Sequence, residues 1–264
     1  MAAAILVCGH VTLDRHGDAL LPGGSAYYAG HAYRALGARC AVATCAGPEL
    51  PAEALAGLEA DVAPAPATTR FVNAYAPDGA RTQRLEAVAP PLDPARIPPA
   101  WRTPDLLHLA PVIAEADVRA FVSAVRARVV GLGVQGNVRA RAPDGTVVQP
   151  PWRWEPGALS GVGVACVGED DLRGQGDLLD RLVAEIPIVA FTHGERGCEV
   201  IVRGRTSRVG VHPAREVDPT GAGDVFAAGF LLGLARGAEP VEAARLGAAA
   251  ASIVVEARAG DALP

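Results

Sequence analysis

Residues 218–224 read Asp-Pro-Thr-Gly-Ala-Gly-Asp and run directly into the apolar stretch Val-Phe-Ala-Ala-Gly-Phe-Leu-Leu at 225–232. The small residues predict a turn, and the apolar stretch predicts a buried helix. A helix that begins at small residues exposes its unpaired N–H groups, which together with the helix dipole attract anions. The stretch therefore predicts an anion site at the start of a helix.

Asp224 closes this stretch and would lie beside the anion site. A carboxylate there can accept the proton of an attacking hydroxyl group, which typically accelerates a reaction by about 10² to 10⁴. An aspartate at a helix start more often caps the helix. From the residues alone, a catalytic role and a capping role both stay open.

The rest of the chain alternates between strand-like and helix-like segments. This alternation predicts an α/β fold with a mostly parallel sheet and helices on both faces. Two predicted hairpins interrupt it. Residues 71–75 and 82–86, on either side of Pro77-Asp78-Gly79, would form a lid outside the main sheet. Residues 198–202 and 206–211 would form an edge of the main sheet. The predicted strands are 4–8, 40–44, 106–109, 129–132, 162–167 and 188–191, and the predicted helices are 27–36, 115–128, 178–184, 225–235 and 241–255.

Composition excludes several classes of function. The 264 residues are half apolar and carry a formal net charge of -5, so a large core is expected and nucleic acid is a poor partner. The sequence contains no lysine, which excludes a Walker-type phosphate loop and a Schiff-base mechanism.

The remaining compositional signals concern the compartment. The five cysteines form no C-x-x-C pair, and the six histidines show no metal-ligand spacing, so we interpret both sets as structural or surface residues. No apolar stretch reaches about 18 residues, and the start of the chain lacks a basic leader segment. We therefore expect a soluble, cytoplasmic protein without membrane partners.

The D-P-T-G-A-G-D stretch with its following helix resembles the signature of the ribokinase-like (PfkB-type) carbohydrate kinases. The resemblance implies that Asp224 is the catalytic base and that the backbone of Gly221, Ala222 and Gly223 forms an anion hole. It also implies a three-layer α/β/α fold. We expect a single kinase domain over 1–264, in which 68–92 supply a reduced lid hairpin and a connector.

The N-terminal sequence extends the resemblance. Two features resemble the N-terminal part of the family's substrate site: Asp14, which follows Gly9-His10-Val11, and the glycine pair Gly23-Gly24. The resemblance implies that the carboxylate of Asp14 accepts hydrogen bonds from sugar hydroxyls. Tyr28 would line the same pocket. An ordinary turn aspartate and an ordinary glycine loop remain the alternatives.

The nucleotide end is matched by residues 192–197, Thr-His-Gly-Glu-Arg-Gly, which resemble the family's T-x-G-x-x-G loop. Where the family has N-x-x-E, this chain has Gly168 and Asp171, which makes Asp171 a candidate member of a Mg²⁺ shell. Ala248 replaces an adenine-pocket asparagine of many relatives. The implied nucleotide contacts are Thr192, Gly194, Gly197, Thr220 and Ser252.

Residues 131–136, Gly-Leu-Gly-Val-Gln-Gly, spell the G-x-G-x-x-G of dinucleotide sites. The next residues, 137–150, are rich in turn formers and lack a helical pattern, so the context argues against a dehydrogenase. The overlapping Gln135, Asn137 and Arg139 are similar to a Q-G-x-x-R run in a subset of the family that includes inositol kinases. Gln135 and Arg139 would then line the substrate pocket, although a solvated turn is an equal alternative.

Together these features predict an enzyme that transfers the γ-phosphoryl group of Mg·ATP to a hydroxyl of a small sugar or cyclitol such as myo-inositol. The resemblance leaves room for a monovalent cation, and for a monomer or homodimer. A nucleoside, ribose or fructose kinase shares the same motifs. A catalytically silent sugar or nucleotide sensor is the rival from another class, because the N-x-x-E and asparagine positions are altered.

Overall fold

The computed structural model describes residues 4–16, 19–75 and 81–257. Within them, nine strands form a main sheet in the order β15-β14-β13-β12-β9-β8-β1-β4-β5. All neighbours pair in parallel except β13 with β14 and β14 with β15. The bounds are β1 Ala4–Cys8, β4 Arg39–Ala46, β5 Glu59–Pro64, β8 Leu106–Leu109, β9 Val129–Gly133, β12 Val164–Gly168, β13 Ile188–Thr192, β14 Cys198–Val202 and β15 Arg205–Val209.

Helices cover both faces of this sheet, as the alternation predicts. They are α1 Ser25–Ala35, α2 Val118–Ala124, α3 Leu178–Glu185, α4 Ala222–Ala235 and α5 Pro240–Val254. One core cluster joins the sheet to α1, α4 and α5, and a second joins it to α2 and α3. None of the helices in the described ranges is long and apolar enough to cross a membrane.

The central α4 is buried nearly all round because it packs on β8, β9 and β12 of the sheet and is flanked by α1 and α5. Glycine allows the two helices to approach closely: a Cβ on Gly229 would lie 2.9 Å from the Cα of Gly247. This packing fixes the start of α4 relative to the sheet edge.

A second sheet has the strand order β3-β2-β6-β7. Its bounds are β2 Thr12–His16, β3 Ala19–Gly23, β6 Arg70–Tyr75 and β7 Arg81–Ala87, and a short pair, β10 Ala140–Arg141 with β11 Val147–Val148, lies beside β7. The sequence predicts only the hairpin of β6 and β7, as a lid, whereas in the structure this hairpin belongs to a sheet of four strands. The predicted turn Pro77-Asp78-Gly79 lies outside the described residues.

Helix α2 is shorter than the predicted 115–128. Asp117 caps its start by accepting a hydrogen bond from the N–H of Ala120 at 2.8 Å. Glu115 instead turns to the neighbouring loops, where its carboxylate accepts the backbone N–H groups of His10 and Ile113, each at 2.8 Å. These contacts hold Glu115 in the loop before the helix, which begins at Val118.

Candidate active site

A cavity of about 640 Å³ opens where the parallel strands end, between the main sheet and the second sheet. Such strand ends are the usual ligand site of open α/β sheets. Most of the site residues predicted from sequence line it: Asp14, Gly24, Tyr28, Gln135, Arg139, Asp171, Thr192, Gly194, Thr220, Gly221, Gly223 and Asp224. Gly23, Ala222, Gly197 and Ser252 lie outside its lining.

The turn before α4 depends on Gly221. This residue has φ 82°, in the left-handed region that favours glycine, and a Cβ there would lie 2.5 Å from the ring of Tyr28. The turn is closed by Asp218, whose Oδ1 accepts the N–H of Thr220 at 2.9 Å. Aspartate, threonine and glycine in this order therefore set the geometry of the helix start.

The amides at the helix start are not equivalent. The N–H of Ala222 donates to the carbonyl of Pro219 at 3.1 Å, whereas those of Gly223 and Asp224 have no backbone partner within the described residues. A Cβ on Gly223 would meet nothing within 4 Å, so open space adjoins these amides. Unpaired backbone amides therefore lie at Gly223 and Asp224, while the Ala222 amide closes the turn.

Asp224 lies on the first turn of α4 and faces the cavity. Burial raises the pKa of its carboxyl group to about 6, and the nearby carboxylates of Asp171 and Asp14 act in the same direction. The Ser25 hydroxyl and the charge of Arg139 lower the pKa of Asp224 and so act in the opposite direction. A carboxyl group with this pKa can accept a proton near neutral pH.

Asp14 projects from β2 into the cavity on the side of the second sheet. Its Oδ1 accepts the hydroxyl of Thr12 at 2.9 Å. Gly23 lies across the strand pair, and a Cβ on it would lie 2.8 Å from the Oδ2 of Asp14. Gly23 therefore leaves room for this carboxylate, and the residue acts on the site through Asp14.

Asp171 is buried and closes its own turn, because its Oδ2 accepts the N–H of Gly168 at 2.9 Å. Burial raises the pKa of this carboxyl group, whereas the Gly168 N–H and the charge of Arg139 lower it. Arg139 therefore acts on the carboxyl groups of both Asp171 and Asp224. No group of three or more acidic, cysteine or histidine side chains within the described residues is arranged to hold a metal by itself.

The G-x-G-x-x-G sequence does not start an α-helix. Residues Gln135–Val138 form a single 3-10 turn, and a Cβ on Gly136 would lie 2.3 Å from the backbone of Pro111. The glycine therefore serves close packing of two loops. This geometry agrees with the sequence argument against a dinucleotide site.

At the other end of the cavity, the loop after β13 forms a charged group with the loop after β12. The Nδ1 of His193 lies 2.8 Å from an Oε1 of Glu169, and Arg196 contacts the same oxygen. These contacts lower the pKa of Glu169. Gly197 has a packing reason to be glycine, since a Cβ there would lie 2.2 Å from the carbonyl oxygen of Val209.

Ser252, the residue of α5 that was predicted to contact the nucleotide, does not line the cavity. Ser252 donates its hydroxyl to the carbonyl of His212 at 3.2 Å, and Ala248 is buried in the core. The nucleotide role predicted for Ser252 therefore stays a prediction without support from the cavity lining.

Sequence reasoning missed Ser25, His193 and His108, all of which line the cavity. His193 sits inside the nucleotide-loop match and could have been noticed from its position. His108 is buried in β8, with its Nδ1 3.1 Å from the hydroxyl of Tyr33, and burial lowers its pKa to about 4, so this imidazole is neutral at pH 7. Ser25 carries no sequence signal beyond its place after the glycine pair.

Part of the chain is similar in sequence to known proteins. Residues 164–263 match the family model of the pfkB family carbohydrate kinases, which confirms the resemblance for that part of the chain. Among curated proteins, inositol 3-kinase of Oryza sativa subsp. japonica is 49% identical over 59 residues, 22% of this chain and 15% of that protein. Inositol 3-kinase of Arabidopsis thaliana is 43% identical over 68 residues, 26% of this chain and 19% of that protein. The matches thus span less than a quarter of these relatives' own length.

Solved structures share the fold over nearly the whole chain. A pyrophosphate-dependent kinase in the ribokinase family, complexed with a pyrophosphate analog and myo-inositol, has a TM-score of 0.78 at 20% identity and covers 95% of this chain and 94% of its own. Ribokinase of Arabidopsis thaliana complexed with ribose and ATP has a TM-score of 0.75 at 20% identity, covering 100% and 96%. The predicted ribokinase-like α/β fold is confirmed.

Proposed function

We propose that this chain is a kinase that transfers a phosphoryl group from Mg·ATP to a hydroxyl of a small sugar or cyclitol. One juxtaposition carries the proposal: Asp224, with its pKa near 6, adjoins the open amide of Gly223 in a cavity that also holds Asp14. A base, an anion site and a hydroxyl-binding carboxylate are the parts that such a transfer needs.

Each part has a role in the reaction. Asp14 accepts hydrogen bonds from hydroxyls of the acceptor and orients it toward Asp224. Asp224 takes the proton of the attacking hydroxyl while that oxygen bonds to the terminal phosphorus and the bond to the leaving phosphate breaks. The amides of Gly223 and Asp224 stabilise the charge on the phosphoryl oxygens during transfer.

The charges around the cavity support a metal requirement. Its carboxylates outnumber its arginines: Asp14, Glu169, Asp170, Asp171, Glu195, Asp218 and Asp224 against Arg139 and Arg196. A polyphosphate would be repelled by such an excess of negative charge unless divalent cations accompanied it. When bound, Mg²⁺ would neutralise phosphate charge, and the donor set suits it because Mg²⁺ prefers carboxylate and phosphate oxygens together. Asp171 and Glu169, which both line the cavity, would help to hold the ion.

The acceptor class rests on the comparisons and on the cavity lining. Three of the curated relatives are inositol 3-kinases, and a structure of the same fold holds myo-inositol. Gln135 and Arg139 line the cavity together with Asp14, so several polar groups are available to a ring with many hydroxyls. We therefore favour a cyclitol, with ribose, fructose or a nucleoside as the alternatives.

Inorganic pyrophosphate is a second candidate donor. The lining at the donor end comes from 168–171 and 192–196, which are mostly polar, and no described lining residue comes from α5. A compact donor without a base would need no further contacts. A solved structure with the same fold is a pyrophosphate-dependent kinase.

The test is product formation from a panel of cyclitols, pentoses, hexoses and nucleosides, each with Mg·ATP and with Mg·pyrophosphate, using Asp224→Asn as the blank. We expect one acceptor class to be phosphorylated with one donor preferred. Binding of donor and acceptor without any product would overturn the proposal in favour of a silent sensor.

A further inference from the structure

Within the described residues, the chain passes between the main sheet and the second sheet at four places. These connections are residues 9–11 between β1 and β2, residue 24 between β3 and α1, residues 65–69 between β5 and β6, and residues 88–105 between β7 and β8. The cavity holds Asp14 from the second sheet and Asp224 from α4, which packs on the main sheet. The connections therefore set the position of one carboxyl group relative to the other.

The imidazole ring of His10 joins three of these connections. His10 is fully buried, with 0% of its surface exposed. Its Nε2 lies 3.0 Å from the carbonyl oxygen of Pro90, and its Nδ1 lies 2.9 Å from the Oγ1 of Thr69. His10 belongs to the connection between β1 and β2, Thr69 precedes β6, and Pro90 follows β7. One side chain thus bonds to both ends of the hairpin of β6 and β7.

The hydrogen bonds around the neutral ring fit a single arrangement. The carbonyl oxygen of Pro90 can only accept, so the Nε2 of His10 carries the hydrogen and the Nδ1 accepts the hydroxyl of Thr69. The Oγ1 of Thr69 in turn accepts the N–H of Ala89 at 2.9 Å. Because both ring nitrogens and the hydroxyl are used, loss of either side chain leaves buried polar groups without a partner.

The backbone around His10 is fixed to the main sheet and to the fourth connection. The N–H of His10 donates to the Oε1 of the buried Glu115 at 2.8 Å, and the N–H of Val11 donates to the Oγ1 of Thr44, on β4, at 2.8 Å. Gly24 has φ 89°, and a Cβ on it would lie 2.7 Å from the carbonyl oxygen of His10. All four connections therefore meet at His10.

We propose that His10 is a positioning residue that holds the second sheet, and with it Asp14, in the place from which Asp14 orients the acceptor toward Asp224. The inference rests on the proposed function, because it gives His10 a part in the same reaction. His10 lies outside the cavity lining and acts through β2, which begins two residues after it. A shift of Asp14 by about 1 Å would impair the acceptor more than the donor, whose proposed contacts follow strands of the main sheet.

A set of substitutions separates this role from a loss of stability. Thr69→Val keeps a similar shape and removes the hydroxyl that bonds His10, whereas Thr69→Ser keeps the hydroxyl. His10→Asn keeps a polar group near the place of Nδ1 and removes the bond to Pro90. Thr68→Val is the matched control, because Thr68 is equally buried, lies in the same connection and bonds the N–H of Gly47, at 2.9 Å, instead of His10.

The first readout is the KM of the acceptor, compared with kcat and with the KM of the donor. We expect Thr69→Val and His10→Asn to raise the acceptor KM about tenfold and to change the donor KM less than about twofold. Thr69→Ser should behave as the parent does, and Thr68→Val should lower the Tm as Thr69→Val does but keep the acceptor KM. A parental acceptor KM in folded Thr69→Val, or an equal rise in Thr68→Val, would overturn the inference.

The second readout is hydrogen exchange, which needs no turnover. Thr69→Val should speed amide exchange in β2 and β7 at least about tenfold more than Thr68→Val does, because it loosens the connections into which these strands lead. Equal exchange in the two variants would contradict the inference even if the chain is an active kinase. A parent without turnover would instead contradict the proposed function, and the exchange would still show whether His10 ties the two sheets.

Discussion

At the scale of single residues, the carboxyl group of Asp224 is acted on by opposing effects. Burial raises its pKa, while Ser25 and Arg139 favour the ionised form. The result is a pKa near 6, well above that of an exposed aspartate. Such a shift is common for catalytic acids and bases.

Replacement of this carboxylate tests its role directly. Asp224→Asn keeps size and polarity but cannot accept the proton, so we expect kcat to fall by at least about 10²-fold. Circular dichroism and the thermal midpoint of the variant establish that it is folded. Retention of parental turnover would contradict the assignment of the base.

The pH dependence has its origin in the same pKa. Because the base must be ionised, kcat should fall as the pH drops through about 6 and level off above it. The measurement is kcat between pH 5 and 8 at saturating acceptor and donor. An acid limb near about pH 4, typical of an exposed aspartate, would show that burial does not act on the base as described.

The raised pKa also predicts an effect on stability. A carboxyl whose folded pKa lies above its unfolded value binds more protons when folded, so its contribution to stability falls as the pH rises from about 4 to about 6. At pH 7 the buried charge is therefore destabilising, and Asp224→Asn should raise the Tm by a few degrees relative to the parent. At pH 4 the gain should nearly vanish, and a gain equal at both pH values would argue against this origin.

At the scale of elements, the turn before α4 makes different demands on its two glycines. Gly221 has a positive φ and contacts the Tyr28 ring, whereas the Cβ direction of Gly223 is open. No atom within the described residues packs against Gly223 closely enough to require a glycine at this position. Because Gly223 lines the cavity, a side chain at this position would enter the cavity.

Two alanine substitutions separate these demands. Gly223→Ala should lower turnover at least about tenfold without lowering the Tm, because alanine favours the helix and its methyl enters the ligand space. Gly221→Ala should lower both quantities, because alanine disfavours a positive φ and its methyl would meet the Tyr28 ring.

The matched control is Gly237→Ala. Gly237 has φ 87° and nothing within 4 Å of a Cβ, and it lies outside the cavity lining. Its alanine variant should lose stability through backbone strain and keep turnover per folded molecule. Parental activity of Gly223→Ala would contradict the anion hole.

Elements with strong local patterns were predicted well from sequence, and those shaped by distant contacts were not. Strands β1, β8 and β13 are short apolar runs, and they appear where their patterns predict them. Helix α2 is shorter than its pattern because Glu115 bonds backbone groups of other loops. Strand β2 was missed because Asp14 and Arg15 interrupt its apolar pattern, and the strand is stabilised by pairing with β3 and β6.

At the scale of the whole molecule, the cavity is built by both sheets. Asp14 and Phe71 come from the second sheet, and Asp171 and Thr192 come from loops and strand ends of the main sheet. The D-P-T-G-A-G-D stretch could be interpreted from sequence because one local turn builds it. The place of Ser25 in the cavity could not be predicted in this way, because only the fold brings the start of α1 to the start of α4.

Binding of the acceptor should therefore couple the two sheets. We expect myo-inositol, if it is the acceptor, to slow hydrogen exchange of the amides in β2 and β6 and to raise the Tm, as any ligand of the folded state does. Asp224→Asn should show the same protection, since it keeps the Asp14 side of the cavity. Protection confined to α5 would place the ligand elsewhere.

Transfer of a phosphoryl group to a hydroxyl, with Asp224 as the base, can be followed by ³¹P NMR of the reaction mixture. With Mg²⁺, the preferred donor and a cyclitol, we expect a new phosphomonoester signal that grows in step with loss of the donor's terminal phosphate. The signal should be absent with Asp224→Asn. Donor breakdown to orthophosphate alone, or a phosphomonoester formed equally by Asp224→Asn, would contradict the account.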